Sequence, residues 1–215
     1  MFQKIEDCGF RLLYHQLLLL IEDANCLKAA SMSFPHKDGD NALLLYGYVD
    51  PEAGMSFEVL CMAWYDEEKG FSLRKTPKST ILKLRNDAIR GRLTPVGNAD
   101  VWAMFLPRIL EINKNYRPSA AVQQFREVWL IDELRHPQFP DDIFAALPPE
   151  REGEEPEGLW AHLEDTEDEN TIATLLNEPY RDCGLHRGDR VELRYRAMGD
   201  HVIAEIKNPK IFFQF

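Results

Sequence analysis

The sequence predicts an α+β protein: an antiparallel sheet with covering helices, followed by a small β-rich, barrel-like domain. Three observations predict it. Strand-like runs between residues 27 and 76 are separated by turns too short for a parallel crossover. Helical patterns flank those runs on both sides. Short strand-like runs with turn residues between them then fill the last third of the chain, a spacing that suits a curled sheet or small barrel.

Residues 2–22 read as one amphipathic helix. Ile5, Leu12, Leu13, Gln16, Leu17, Leu20 and Ile21 recur near a 3.6-residue period, and Asn25 offers a stop. Four strand-like runs follow: 27–34, 42–49, 56–65 and 71–76. The Asp38-Gly39 pair, the stretch from Pro51 to Gly54 and the stretch from Glu67 to Gly70 supply the turns between them. Ser79 or Thr80 can cap a helix to about Arg90, with Gly91 just past its end. Asn98 or Asp100 can cap another to about Tyr116, with a kink or break at Pro107. This pair of helices is expected to cover one face of the sheet.

Arg117-Pro118-Ser119 reads as a junction, dividing the chain into domains 1–117 and 118–215. Residues 122–131 suit either strand or helix. Beyond the prolines at 137, 140, 148 and 149, strands are expected over 143–147, 159–163, 171–176, 189–196 and 201–206, with a charged loop over 150–158.

Charge is the most unevenly distributed property. The formal net charge is −11, yet residues 1–140 hold 18 acidic and 17 basic side chains, whereas residues 141–178 hold 13 acidic and one basic, Arg151. Phosphate binding needs clustered Lys and Arg, so nucleic acid is not expected as a partner. A basic protein is the partner that such a surface suits. The residues expected to meet it are Asp141, Asp142, Glu164, Asp165, Glu167, Asp168 and Glu169. The basic stretch over 74–92 offers an anion or nucleic-acid patch, a solvated helix face or a contact with the acidic stretch of the same chain.

No catalytic or metal-ligating residue is assigned. The six histidines show no zinc spacing, the four cysteines lie far apart, and neither a nucleophile elbow nor a phosphate-binding glycine loop is present. The acidic run from Glu164 to Glu169 has no central glycine for a calcium loop. No cofactor, disulfide or metal is expected. No apolar run approaches the ~18 residues of a membrane span, and the acidic start of residues 2–22 argues against a secretion signal. A cytoplasmic protein is expected.

The most specific segment lies in the last third: Trp160-Ala161-His162-Leu163, then Leu175-Leu176-Asn177-Glu178-Pro179, then Gly188-Asp189 before the next strand. With Phe139-Pro140-Asp141-Asp142 ahead of it, this segment resembles a set of uncharacterised bacterial domain families that share a Trp-initiated strand, a Leu-x-Asn-x-Pro turn and a Gly-Asp turn. The resemblance covers about residues 125–195. Members of such families are often associated with toxin–immunity loci, so it implies an immunity role: a cytosolic, non-enzymatic protein that blocks a toxin. It supplies no catalytic residues. From the residues alone, Asn177, Pro179 and Gly188 have fold-determining roles. An enzyme or small-ligand domain using His136, Asp141, Asp142 and His162 between two lobes is the rival reading, and a regulatory adaptor is a third.

Overall fold

The computed structural model describes residues 1–75, 80–149, 151, 153–167 and 170–207. The chain divides into two compact units, Met1–Arg117 and Pro118–Phe215.

The first unit is built on an antiparallel sheet. Its strands are β1 (Gln3–Lys4), β2 (Leu17–Ile21), β3 (Ala42–Asp50), β4 (Gly54–Asp66), β5 (Gly70–Leu73), β6 (Lys83–Arg85) and β7 (Arg92–Pro95). They pair in the order β1-β7-β2-β3-β4-β5, and β6 pairs with β4 beside β5. The expected strands at 42–49 and 56–65 are present as the long β3–β4 hairpin, and the run at 71–76 contains β5.

Three expectations are corrected. The second half of the helix expected over 2–22 is β2, the central strand, and the first half is a short strand, a 3-10 turn and the one-turn helix α1 (Phe10–Leu13). Leu17, Leu19 and Ile21 point into one core and Leu18 and Leu20 into another, so every position is buried and the alternation that marks a half-exposed strand is absent. The strand expected over 27–34 is mostly the helix α2 (Ala24–Ser31), capped by the Asp23 carboxylate, which accepts from Cys26 N at 3.0 Å. The helix expected to about Arg90 is instead β6 and a 3-10 turn over Asn86–Ala88; Ser79 lies outside the described residues. Three basic side chains of that stretch find acidic or phenolic partners: Arg74 pairs with Asp40, Arg92 with Glu22, and Lys83 donates to the Tyr116 hydroxyl.

The helix expected before Tyr116 is α3 (Ala99–Asn115), capped by Asn98 and running through Pro107 without a break. It packs with Val101, Ile109 and Ile112 against the face carrying Leu17 and Leu19, while Cys26 and Ala30 of α2 pack on the other face. The sheet is therefore covered by a helix on each side, not by a helix pair on one. Gly47 marks a close approach between layers, because a Cβ there would strike the Leu13 carbonyl.

In the second unit, residues 120–134 form the helix α4 (Ala120–Glu127), capped by Ser119, and a 3-10 segment over Trp129–Leu134. Five strands follow: β8 (Asp142–Leu147), β9 (Glu157–Glu167), β10 (Asn170–Leu175), β11 (Arg190–Met198) and β12 (His201–Ile206). Each pairs antiparallel with the next, and β12 closes the barrel on β8. An odd number of alternating strands leaves the first and last running the same way, so the closing pair is parallel; it has two rungs, Ala204↔Ala145 and Glu205↔Ala146. Ile143, Ala145, Leu147, Leu159, Ala161, Leu163, Ala173, Val191, Leu193, Ala204 and Ile206 fill the interior, and Ala121, Phe125 and Ile131 extend that core. No helix among the described residues is long and apolar enough to cross a membrane.

Candidate functional site on the outer face of the barrel

Alternation along β8 and β9 decides what the barrel shows. Ile143, Ala145 and Leu147 point inward, which turns Asp142, Phe144 and Ala146 outward; on β9 the outward set is Gly158, Trp160, His162 and Glu164. The register sets Ala146 opposite Gly158, Phe144 opposite Trp160 and Asp142 opposite His162. One end of this strand pair is thus aromatic and the other carries the carboxylates.

The aromatic end is held in place. The Phe144 ring lies over Gly158, where a Cβ would strike it, and meets the Trp160 ring edge-on at 5.5 Å. The Trp160 ring also meets the His136 ring edge-on at 5.0 Å, and Phe139 lies 5.7 Å from His136. His136 Nδ1 accepts from the backbone N–H groups of Gln138 and Phe139 at 3.2 and 3.1 Å, which places any ring proton of the neutral form on Nε2. Phe144 remains 47% and Phe139 38% exposed.

His162 sits at the boundary. Its Nδ1 is 2.5 Å from Asp142 Oδ1. The Asp142 hydrogen bond raises the pKa of His162; burial opposes this, and the charges of Asp142, Asp141 and Glu164 add to it. Asp141, the adjacent carboxylate, points the other way. It takes a bidentate contact from Arg126 of α4 at 2.9 and 2.6 Å, with the side chains 12% and 3% exposed. Asp141 therefore does not belong to the surface expected from the sequence: it is the buried partner of an arginine. Asp142 is nearly as enclosed and is engaged by His162.

At the far end of β9, Glu164 accepts from Thr174 Oγ1 at 2.7 Å and lies 3.5 Å from Arg190 of β11, which also reaches Glu167 at 3.1 Å. Asp165 is exposed and accepts from the Thr166 N–H. Asp168 and Glu169 lie outside the described residues. The charge concentrated in residues 141–178 is thus partly balanced by neighbours from outside that window: Arg126 on Asp141, Arg190 on Glu164 and Glu167, and Arg181 on Glu157 at 3.3 Å. What stays acidic is the Glu164, Asp165 and Glu167 end, where among the described residues Arg190 is shared by Glu164 and Glu167.

The segment that carries the family resemblance knits this barrel together. Asn177 Oδ1 accepts from Trp160 N at 2.8 Å, and Leu176 N donates to Trp160 O at 2.9 Å. Gly188, at φ 93°, donates to Leu175 O, and Leu175 N donates to Asp189 O. Trp160, Asn177 and the Gly-Asp turn are joined by the Asn177 side chain and by backbone hydrogen bonds of Leu175 and Leu176, which gives them a role in the fold.

Of the rival set, His162 and Asp142 are in contact, His136 reaches Asp142 through its backbone N–H, and Asp141 faces away. Among the described residues no Ser, Thr or Cys side chain hydrogen-bonds to the His162 ring, and no cluster of His, Cys, Asp or Glu could hold a metal ion. The sequence reading missed Phe144, Phe139, Arg126 and Arg190. Phe144 was legible, since the alternation in Asp-Ile-Phe-Ala-Ala-Leu turns it outward with Asp142. Arg126 and Arg190 lie far along the chain from their partners, and no local pattern announces them. No family model matches this chain, and no curated protein or solved structure is significantly similar to it.

Proposed function

We propose that this chain is a binding protein of the immunity type, which meets a basic toxin through the outer face of β8 and β9. The observation that carries the reading is the pairing of a pinned aromatic end, exposed at Phe144 and half-buried at Trp160, with an acidic end at Glu164, Asp165 and Glu167 on the same two strands. Aromatic anchors supply binding energy at the centre of interfaces, and surrounding charge steers the partner in and rejects others. A closed barrel is a rigid support for such a face, so little ordering is needed on association.

The test begins with cross-linking and capture of the partner from cells that make this protein. Association of the purified pair is then followed by stopped flow. Neutralising the acidic end as E164Q/D165N/E167Q/D168N/E169Q is expected to slow association about tenfold at low salt, where steering is strongest. The difference should shrink near 0.15 M, where the Debye length is about 8 Å. Equal rates at low ionic strength, with the variant folded, would refute the reading.

One contact favours a second reading. The 2.5 Å pair of His162 and Asp142 is the geometry in which a carboxylate orients a general base. Activity of the captured complex or of the free chain that is abolished by His162→Gln, with partner binding unchanged, would favour an enzyme instead.

A further inference from the structure

The division of the β8–β9 face into an aromatic and an acidic end fixes a distance between them, and that distance describes a ligand. This inference rests on the binding reading above and names the part of the partner that is recognised. Outward positions on one strand recur every second residue, about 7 Å apart. From Trp160 the next outward position is His162, already satisfied by Asp142; beyond it an irregularity in the β9–β10 register at Glu164 sets Glu164 and Asp165 on this same side, about 14 Å along. The barrel is closed by β12 on β8, so this face has no free edge at which a partner strand could pair through its backbone. A segment that docks here must be read by its side chains. An extended segment has the same two-residue repeat as the surface beneath it.

We propose that the face takes an extended segment of a basic protein in which a large apolar side chain is followed four residues later by an arginine. The apolar side chain covers Phe144 beside Trp160. The residue two positions on passes over the His162–Asp142 pair. The arginine reaches Asp165 and Glu164, the latter sharing Arg190 with Glu167. Arginine suits this end better than lysine, since its planar fork can bridge two carboxylate oxygens while its stem lies flat on the sheet. An acidic segment would meet uncompensated carboxylates and is excluded by the same charges.

The test uses the isotope-labelled full chain and blocked synthetic peptides in a serine–threonine background, read by amide and indole chemical shifts. One peptide carries phenylalanine and, four positions on, arginine. The second has the arginine moved next to the phenylalanine, and the third has glutamate in place of arginine. The first peptide is expected to move the Trp160 indole signal together with the Glu164 and Asp165 amides. It should bind about tenfold more tightly than the second, a difference set by one well-placed contact. Phe144→Ala should remove that preference. Gly158→Ala should do the same without touching the interior, because its Cβ drives the Phe144 ring off its seat. If every arginine peptide moves Glu164 and Asp165 alike and leaves Trp160 still, the spacing inference is wrong and the acidic binding surface stands. If no arginine peptide moves any signal of β8 or β9, and the captured partner associates equally fast with the charge-neutralised variant, both are wrong.

Discussion

Replacing Arg126 by methionine tests a buried ion pair that links α4 to the barrel. The substitution removes the hydrogen bonds of 2.9 and 2.6 Å to Asp141 and leaves that carboxylate, 12% exposed, without its guanidinium. Methionine keeps most of the volume, so the loss is electrostatic and not a cavity. Stranding a charge in this way costs about 3–5 kcal/mol. For a unit of about 100 residues each kcal/mol moves the midpoint by roughly 4–8 °C, so a fall on the order of 20 °C is expected in the barrel's transition. Replacing Asp141 by leucine in the same chain should recover most of that fall, since an apolar pair of similar volume replaces a buried ion pair at little cost. Differential scanning calorimetry of the wild type, both single variants and the double variant closes the cycle. A single variant melting within about 5 °C of the wild type, or a double variant no more stable than R126M, would refute the account of the pair.

Three further outcomes follow from other groups. His162 has a raised pKa in the fold, so its pairing with Asp142 stabilises the barrel fully below the unfolded value of about 6.5 and is lost as the pH rises through the higher folded value; melts from acid to alkaline pH should show that loss, and Asp142→Asn should abolish it along with the raised midpoint of the His162 ring signals. Asp23 is pushed up by burial, but the N–H groups of Arg90, Cys26 and Gly91 outweigh this and hold its pKa low, so its contribution is present above about pH 3.9 and lost on acidification through the folded value. Asp23→Ala should cost about 2 kcal/mol by chemical denaturation and flatten the acid limb. Burial pushes the thiols of Cys26 and Cys61 up to about 12, whereas Cys8 is only half-buried; iodoacetamide with mass-spectrometric mapping should therefore label Cys8 first in the native protein, and equal labelling of Cys61 would contradict the packing.

The parts of the fold legible in the sequence are those where one face of an element meets water or where turn residues mark its ends. The barrel strands alternate, and their boundaries were read to within a residue or two over β8, β10, β11 and β12. The β3–β4 hairpin has turn residues that state their own geometry: Asp50 accepts from Glu52 N and Ala53 N, and Gly54 sits at φ 74°. Where an element is buried on both faces the period vanishes. Leu17–Ile21 is five apolar residues in a row, and without alternation a central strand cannot be told from a buried helix by periodicity. The segment 27–34 misled for another reason. Its helix begins upstream at the Asp23 cap, so residues 27–34 start inside the element. The candidate site divides in the same way. Glu164, Asp165 and Glu167 were found by composition, but composition counts charges and does not see what faces them, so Asp141 was grouped with an acidic surface although Arg126 encloses it.

The parallel seam of the barrel bears on how the second unit acquires its structure. Each of the other four pairings joins consecutive strands. The seam joins Ala145 and Ala146 to Ala204 and Glu205, so it forms only when the two ends of the unit's strand sequence meet, and it does so through two rungs. Closing a long loop is entropically costly, and pairings between distant residues slow folding relative to local ones. On the ribosome, β8 to β11 can form their hairpins in turn, with Arg135 bridging Ile143 at the start of β8, while the Ala145–Ala146 part of that edge stays unpaired until β12 has been made. During that interval Ala145 and Ala146 present free backbone groups to any strand nearby. The seam is thus both the last piece of the barrel to assemble and the place where two nascent copies are most at risk of exchanging strands.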